Sequence, residues 1–155
     1  MLIGWRTYEA LAQTAAEVAL TRNPEQIIRD SKRVAVVGLS NNPGKESYTL
    51  AKYLQDDGYH AIPVNPTIKE VLGEKSYASL GVIPEPVDVV DVFRRPEAKV
   101  PIVHDSVAIG AKAFWLQLSI VNEEAAMIAR NASLDVVMDK CIKVAQASMV
   151  RRMRR

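Results

Sequence analysis

Short unbroken apolar runs alternate along the chain with longer stretches in which apolar residues return every three or four positions. Val34 to Leu39 is such a run, and its lack of in-and-out alternation is what a parallel strand covered on both faces requires. Tyr59 to Val64, Val87 to Phe93, Ala113 to Leu118 and the DVVMD string from Asp135 to Asp139 predict further strands. GEKSY, from Gly73 to Tyr77, predicts a weaker, short strand, followed by a turn of helix before Pro84 and Pro86.

Between these runs the spacing turns helical. Ser47 to Gln55 predicts a helix that Asp56, Asp57 and Gly58 bring to an end. Pro101 in a first turn and Gly110 as a stop bound a second. NEEAAMIARNA forms a third, capped by Asn122. Asn23 followed by Pro24 reads as the N-cap and first residue of a short helix, PEQIIRDS. Upstream, Trp5, Tyr8, Leu11, Ala12, Ala15 and Ala19 predict an N-terminal helix packed on something, a capping or dimerising appendage.

Strands alternating with helices define an α/β fold, doubly wound, with a mainly parallel sheet of five or six strands and helices on both faces. The chain divides into an N-terminal helical extension over 1–22, a ligand-binding domain over 23–146 and a basic tail over 147–155. With a strand order of 3-2-1-4-5-6, the chain reverses between the Val34 strand and the Val87 strand, and a ligand is expected above their carboxyl ends.

Composition narrows the setting. The 155 residues, 48% hydrophobic and 25% charged, suit one domain with a proper core. No apolar run approaches the roughly 20 residues that span a bilayer, and MLIGWRTYEALAQTAAEV lacks the regions of a signal peptide, so a cytoplasmic protein is expected. The single cysteine, Cys141, excludes an internal disulfide and reads as a half-buried thiol. Net charge is +2, yet Arg151, Arg152, Arg154 and Arg155 lie in the last five residues, so the body without them is mildly acidic. A nucleic-acid face would have to come from that tail alone, which argues against one.

The candidate chemistry gathers in four loops at the expected carboxyl edge: Gly38 to Lys45, Val64-Asn65-Pro66, Phe93-Arg94-Arg95-Pro96 and Gln117. Only Gly38 and Gly44 stand where G-x-G-x-x-G would put three glycines. Gly38 permits a sharp turn, and the amides of residues 40 to 47 are expected to face an anion at the start of the next helix. Ser40 and Ser47 add hydroxyls, and Lys45, Arg94 and Arg95 add charge. An NAD site would carry an acidic residue at the end of the second strand. This chain offers Val64, Asn65 and Pro66 instead, with Lys69 just beyond, which suits a ligand whose ribose bears phosphate: NADP or coenzyme A. Trp115 reads as core, since its strand is buried on both faces.

VAVVGLSNNPGKESY, GYHAIPVNP, Gly73 and Tyr77, VDVVDVFRRPE, GAKAFWLQL, NEEAA and VVMDKC, taken together, resemble the small CoA-binding proteins related to the nucleotide-binding domain of the succinyl-CoA synthetase alpha subunit, over about residues 24–143. The resemblance implies a Rossmann-like fold binding coenzyme A or an acyl-CoA. It puts Gly38, Leu39, Ser40, Asn41, Asn42 and Pro43 beside the pyrophosphate, Asn65, Pro66 and Lys69 near the adenosine end, and Phe93, Arg94 and Gln117 along the cleft. Two positions depart from the family pattern: Ser119, where glycine is usual and which is expected to tighten the space beside Gln117, and Ala145, where an acidic residue is usual.

Catalytic groups are harder to find. In the synthetases a phosphorylated histidine lies in a separate domain, whereas this chain has His60 and His104 only. His104, Asp105 and Ser106 spell a triad in a row, but consecutive helical residues face different ways. Asp56-Asp57 and Glu123-Glu124 read as helix-end charges, and no metal-ligand cluster stands out. The reading is therefore a non-catalytic CoA-binding carrier, sensor or regulatory module. The alternatives are a detached ligase subunit that needs a catalytic partner protein, an NADP-binding domain, or an interaction scaffold using the first helix and the arginine tail.

Overall fold

Strand β1, Arg33–Val37, is hydrogen bonded on both sides and buried on both faces from Val34 onward, which is why its sequence after Arg33 is an unbroken apolar run. The computed structural model describes residues 22–93 and 99–154. Helix α1, Pro24–Arg29, precedes β1 and opens with a reciprocal capping box between Asn23 and Gln26. Next come α2 (Glu46–Asp56), β2 (His60–Val64), a hairpin of β3 (Glu70–Val71) and β4 (Glu74–Lys75), and one 3-10 turn, Leu80–Val82. The chain continues through β5 (Val89–Val92), α3 (Lys99–Ala108), β6 (Ala113–Leu116), α4 (Glu123–Asn131), β7 (Asp135–Val137) and α5 (Ile142–Met153).

The main sheet has five parallel strands in the order β2-β1-β5-β6-β7. This corrects the expected 3-2-1-4-5-6. The third-strand position holds a single bridge between Tyr77 and Val64, while the neighbouring residues fold back as the antiparallel β3–β4 hairpin. The reason is local: Leu72 and Gly73 both take left-handed dihedrals, φ 55° and 75°, which turn the chain before it can run along β2. The reversal between β1 and β5 stands as expected.

Two cores flank the sheet. On one face Ile27, Ile28, Leu50, Leu54 and Ile142 from α1, α2 and α5 pack on Val34, Val36 and Trp115. On the other, Val103, Ala125 and Ala129 from α3 and α4 pack on Val37, Val90 and Phe114. Helix α5 runs through residue 146, the boundary expected between domain and tail. It lies against α1, and Arg152 Nη1 meets Glu25 Oε2 at 3.1 Å. No helix among the described residues is long and apolar enough to cross a membrane. The N-terminal helix expected upstream of Arg22 lies outside the described residues, as do Arg94 and Arg95.

Candidate ligand-binding site

Strand register fixes the site. Val64, Val37, Val92 and Leu116 are partners in one row across β2, β1, β5 and β6. Gly38, Asn65, Phe93 and Gln117 follow them directly, so the four loops singled out by sequence emerge side by side within about 14 Å, three strand spacings. The amide of Gly38 donates to Val64 O at 2.9 Å, and that of Phe93 donates to Val37 O at 3.0 Å, extending both pairings past the strand ends.

Gly38 takes φ 88°, a left-handed conformation that side chains resist, and so turns the chain out of β1. Leu39 then drops its side chain into the core beneath α2, 1% exposed, so its contribution to the turn is backbone. The rest of the turn is braced from within. Ser40 N donates to Ser47 Oγ (3.1 Å), Asn42 N to Ser40 Oγ (3.0 Å), Gly44 N to Asn42 Oδ1 (2.9 Å) and Lys45 N to Asn42 O (3.0 Å). Of the amides from 40 to 47 expected to be able to face an anion, four hold the loop's own shape instead. The open donors are in the first turn of α2, because Lys45 at the N-cap supplies no side-chain cap and Thr49 is the first residue to bond back. Ser40 and Ser47, having accepted, keep their hydroxyl protons to give. Asn41, Asn42, Pro43 and Lys45 are exposed.

Asn65 serves the neighbouring loop in the same way. Its Nδ2 donates to Leu39 O at 3.0 Å, its Oδ1 accepts from Thr67 N and Oγ1, and its carbonyl accepts from Ser76 Oγ. The side chain is thus a clamp between the first and second loops. Pro66 and Lys69 lie exposed beyond it, and no carboxylate stands at the end of β2.

On β5 the structure adds a residue that sequence reading passed over. Asp91 sits between Val36 and Trp115, one position inside the edge, fully buried on the α2 face of the sheet. Gln117 Nε2 donates to Asp91 Oδ1 at 2.6 Å, while Asp91 Oδ2 has no partner. Desolvation pushes this carboxyl up to about 7, against the opposing hydrogen bonds from Gln117 and the Val92 amide. The signal was a lone acid in an otherwise apolar run, VVDVF. Phe93, two residues on, is partly buried against the same core. Arg94 lies outside the described residues.

Ser119 explains its departure from the family pattern differently than expected. It is exposed, so it does not crowd Gln117; its backbone takes φ 66°, and its amide donates to Asp139 Oδ1 at 2.6 Å. A non-glycine residue there carries roughly 1 kcal/mol of strain. Ser119→Gly is expected to raise stability by about 0.5 kcal/mol, since the unfolded chain also gains freedom. Urea denaturation checks this, and a clear loss would contradict it.

The remaining chemistry lies elsewhere. His60, at the amino end of β2, sits between Glu74 and Glu85 at 3.2 and 3.1 Å, on the edge opposite the four loops. His104 and Asp105 are exposed, while Ser106 is buried and donates to Ile102 O, so the three do not converge. A groove of about 510 Å³ between α1 and α5, lined by Pro24, Leu118, Cys141, Val144 and Ser148, is a separate feature.

Comparison with known proteins gives the family. The model of the CoA binding domain family matches residues 32–147, and the chain belongs to that family. The protein YneT of Bacillus subtilis is 46% identical over 123 residues, covering 79% of this chain and 91% of YneT. A hypothetical protein from Pyrococcus horikoshii superposes with a TM-score of 0.79 at 34% identity, over 83% of this chain and 93% of that one. The ADP-forming acetate–CoA ligase of Methanocaldococcus jannaschii is 35% identical over 70 residues, which are 45% of this chain but only 10% of the ligase. The chain is thus homologous to a CoA-ligase domain, within a Rossmann-like α/β fold.

Proposed function

We propose that this protein binds coenzyme A, or an acyl-CoA, across the carboxyl edge of β2, β1, β5 and β6, and acts as a carrier, sensor or regulatory module. The observation that carries the reading is the open first turn of α2 beside a preformed Gly38–Lys45 loop, in a row with Asn65, Phe93 and Gln117. Pyrophosphate would meet the amides of Glu46 and Ser47 together with the hydroxyls of Ser40 and Ser47 and the charge of Lys45. Gly38, Leu39, Asn41, Asn42 and Pro43 shape that turn. Pro66 and Lys69, at an end of β2 that lacks a carboxylate, suit a phosphorylated ribose. Arg94 would add a guanidinium to the phosphates and Phe93 an apolar wall to the arm.

Thermal denaturation separates CoA from the rival ligand. CoA at saturating concentration is expected to raise Tm by more than NADP does; the reverse order would favour a dinucleotide site. Arg94→Ala is expected to weaken CoA binding by roughly tenfold or more, the loss of a charge-assisted hydrogen bond of about 1.5 to 3 kcal/mol. Unchanged affinity in calorimetry would move Arg94 out of the site.

A second reading follows from the match to the acetate–CoA ligase: a detached ligase subunit whose catalytic residues come from a partner protein. Acyl-CoA formation on mixing with an ATP-grasp-type partner would support it. Absence of turnover in that mixture, with CoA still bound, would leave the carrier reading.

A further inference from the structure

Asp91 is a fully buried carboxylate whose one partnered oxygen accepts from the amide of Gln117. Its position is central: β5 lies between β1 and β6, and Asp91 sits one residue inside the row of Val92 and Leu116, from which Phe93 and Gln117 emerge. Burying a carboxylate in an otherwise apolar strand with one oxygen unpartnered is expensive, and the packing around Val36 and Trp115 does not require it. What the carboxylate does accomplish is orientation. A carboxylate only accepts, so the Gln117 side chain must turn its NH2 group inward to Asp91. Its amide oxygen is then held on the other side, where no donor among the described residues meets it.

We infer that Asp91 is a positioning residue that locks the Gln117 amide with its carbonyl oxygen toward the ligand, as the acceptor for an amide N–H on the pantetheine arm of CoA. The inference rests on the proposed function and refines it. The nucleotide half of the ligand is held at the β1–α2 turn, and recognition of the arm falls to the Asp91–Gln117 pair, one and two strands away. Without Asp91, Gln117 can present either end of its amide, and an NH2 group turned outward repels an N–H donor. A ligand lacking the arm is indifferent to that choice.

The test is calorimetry at pH 8, above the value near which Asp91 takes up its proton, with CoA and with adenosine 3′,5′-bisphosphate as probes. Asp91→Asn keeps the volume but pairs two amides, which can bond in either orientation. It is expected to weaken CoA binding about tenfold, the worth of one recognition hydrogen bond, while bisphosphate binding stays within about twofold. In a Gln117→Leu background, Asp91→Asn is expected to have no further effect on CoA. A merely structural Asp91 would instead lower both ligands together, or act equally in both backgrounds, and either result overturns the inference. Unchanged CoA affinity in Asp91→Asn also overturns it. Failure of the unaltered protein to bind either ligand would overturn the proposed function along with it, so the two failures are distinguishable.

Discussion

The protein is expected to lose stability as pH rises from about 4 to about 8, and Asp91→Asn is expected to remove that component. The Asp91 carboxyl is raised by burial to about 7, against about 3.9 in an unfolded chain. The folded state therefore holds the proton more tightly than the unfolded state does. Its contribution is most favourable below the unfolded value and is lost as pH climbs through the folded one. Three units correspond to about 4 kcal/mol, of which about 2 to 3 falls between pH 5 and pH 8. Urea denaturation of both proteins across that range gives two curves whose separation changes with pH by this amount. Parallel curves would mean that Asp91 is ionised at little cost and that its burial matters less than the geometry implies.

The second large effect concerns Trp115. Its side chain is fully buried on β6, and Nε1 donates to Lys140 O at 2.8 Å, pinning the loop that leads into α5. Trp115→Ala opens a cavity against Val36 and Ile142 and frees that carbonyl, at a cost of about 3 to 5 kcal/mol. For a domain of ordinary stability, about 5 to 15 kcal/mol, this leaves a marginal fold. CoA is nonetheless expected to raise the Tm of the variant, because the phosphate turn lies two strands away. A loss below about 1 kcal/mol would show that the indole is not a packing element.

Much of this was legible in the chain. The strands at 34–39, 87–93 and 113–118 announced themselves because a strand buried on both faces must be apolar throughout, and Asn23, Asn122 and Gly110 marked helix ends through local chemistry. The four loops could be placed together because parallel strands share one carboxyl edge. What escaped notice depended on contacts across the fold. GEKSY does carry a short strand, Glu74–Lys75, but its pairing could not be read locally: it pairs antiparallel with β3, and only Tyr77 bridges to β2. Asn65 looked like a ligand residue, yet its amide is committed to Leu39 O, 26 positions earlier in sequence. The self-bracing of Gly38–Lys45 was half visible: the Asn42 turn onto Gly44 is local, whereas the Ser40–Ser47 bond requires the helix to be in place. Asp91 stood in plain view within VVDVF, but its hydrogen bond with Gln117, just past β6, spans 26 positions and cannot be read locally.

The central claim is where coenzyme A sits, and a crystal structure grown with CoA tests it most directly. The account predicts the pyrophosphate within hydrogen-bond distance of the Glu46 and Ser47 amides, with the arm passing Phe93 toward Gln117. CoA seated instead in the groove between α1 and α5, or an empty carboxyl edge at saturating ligand, would contradict it.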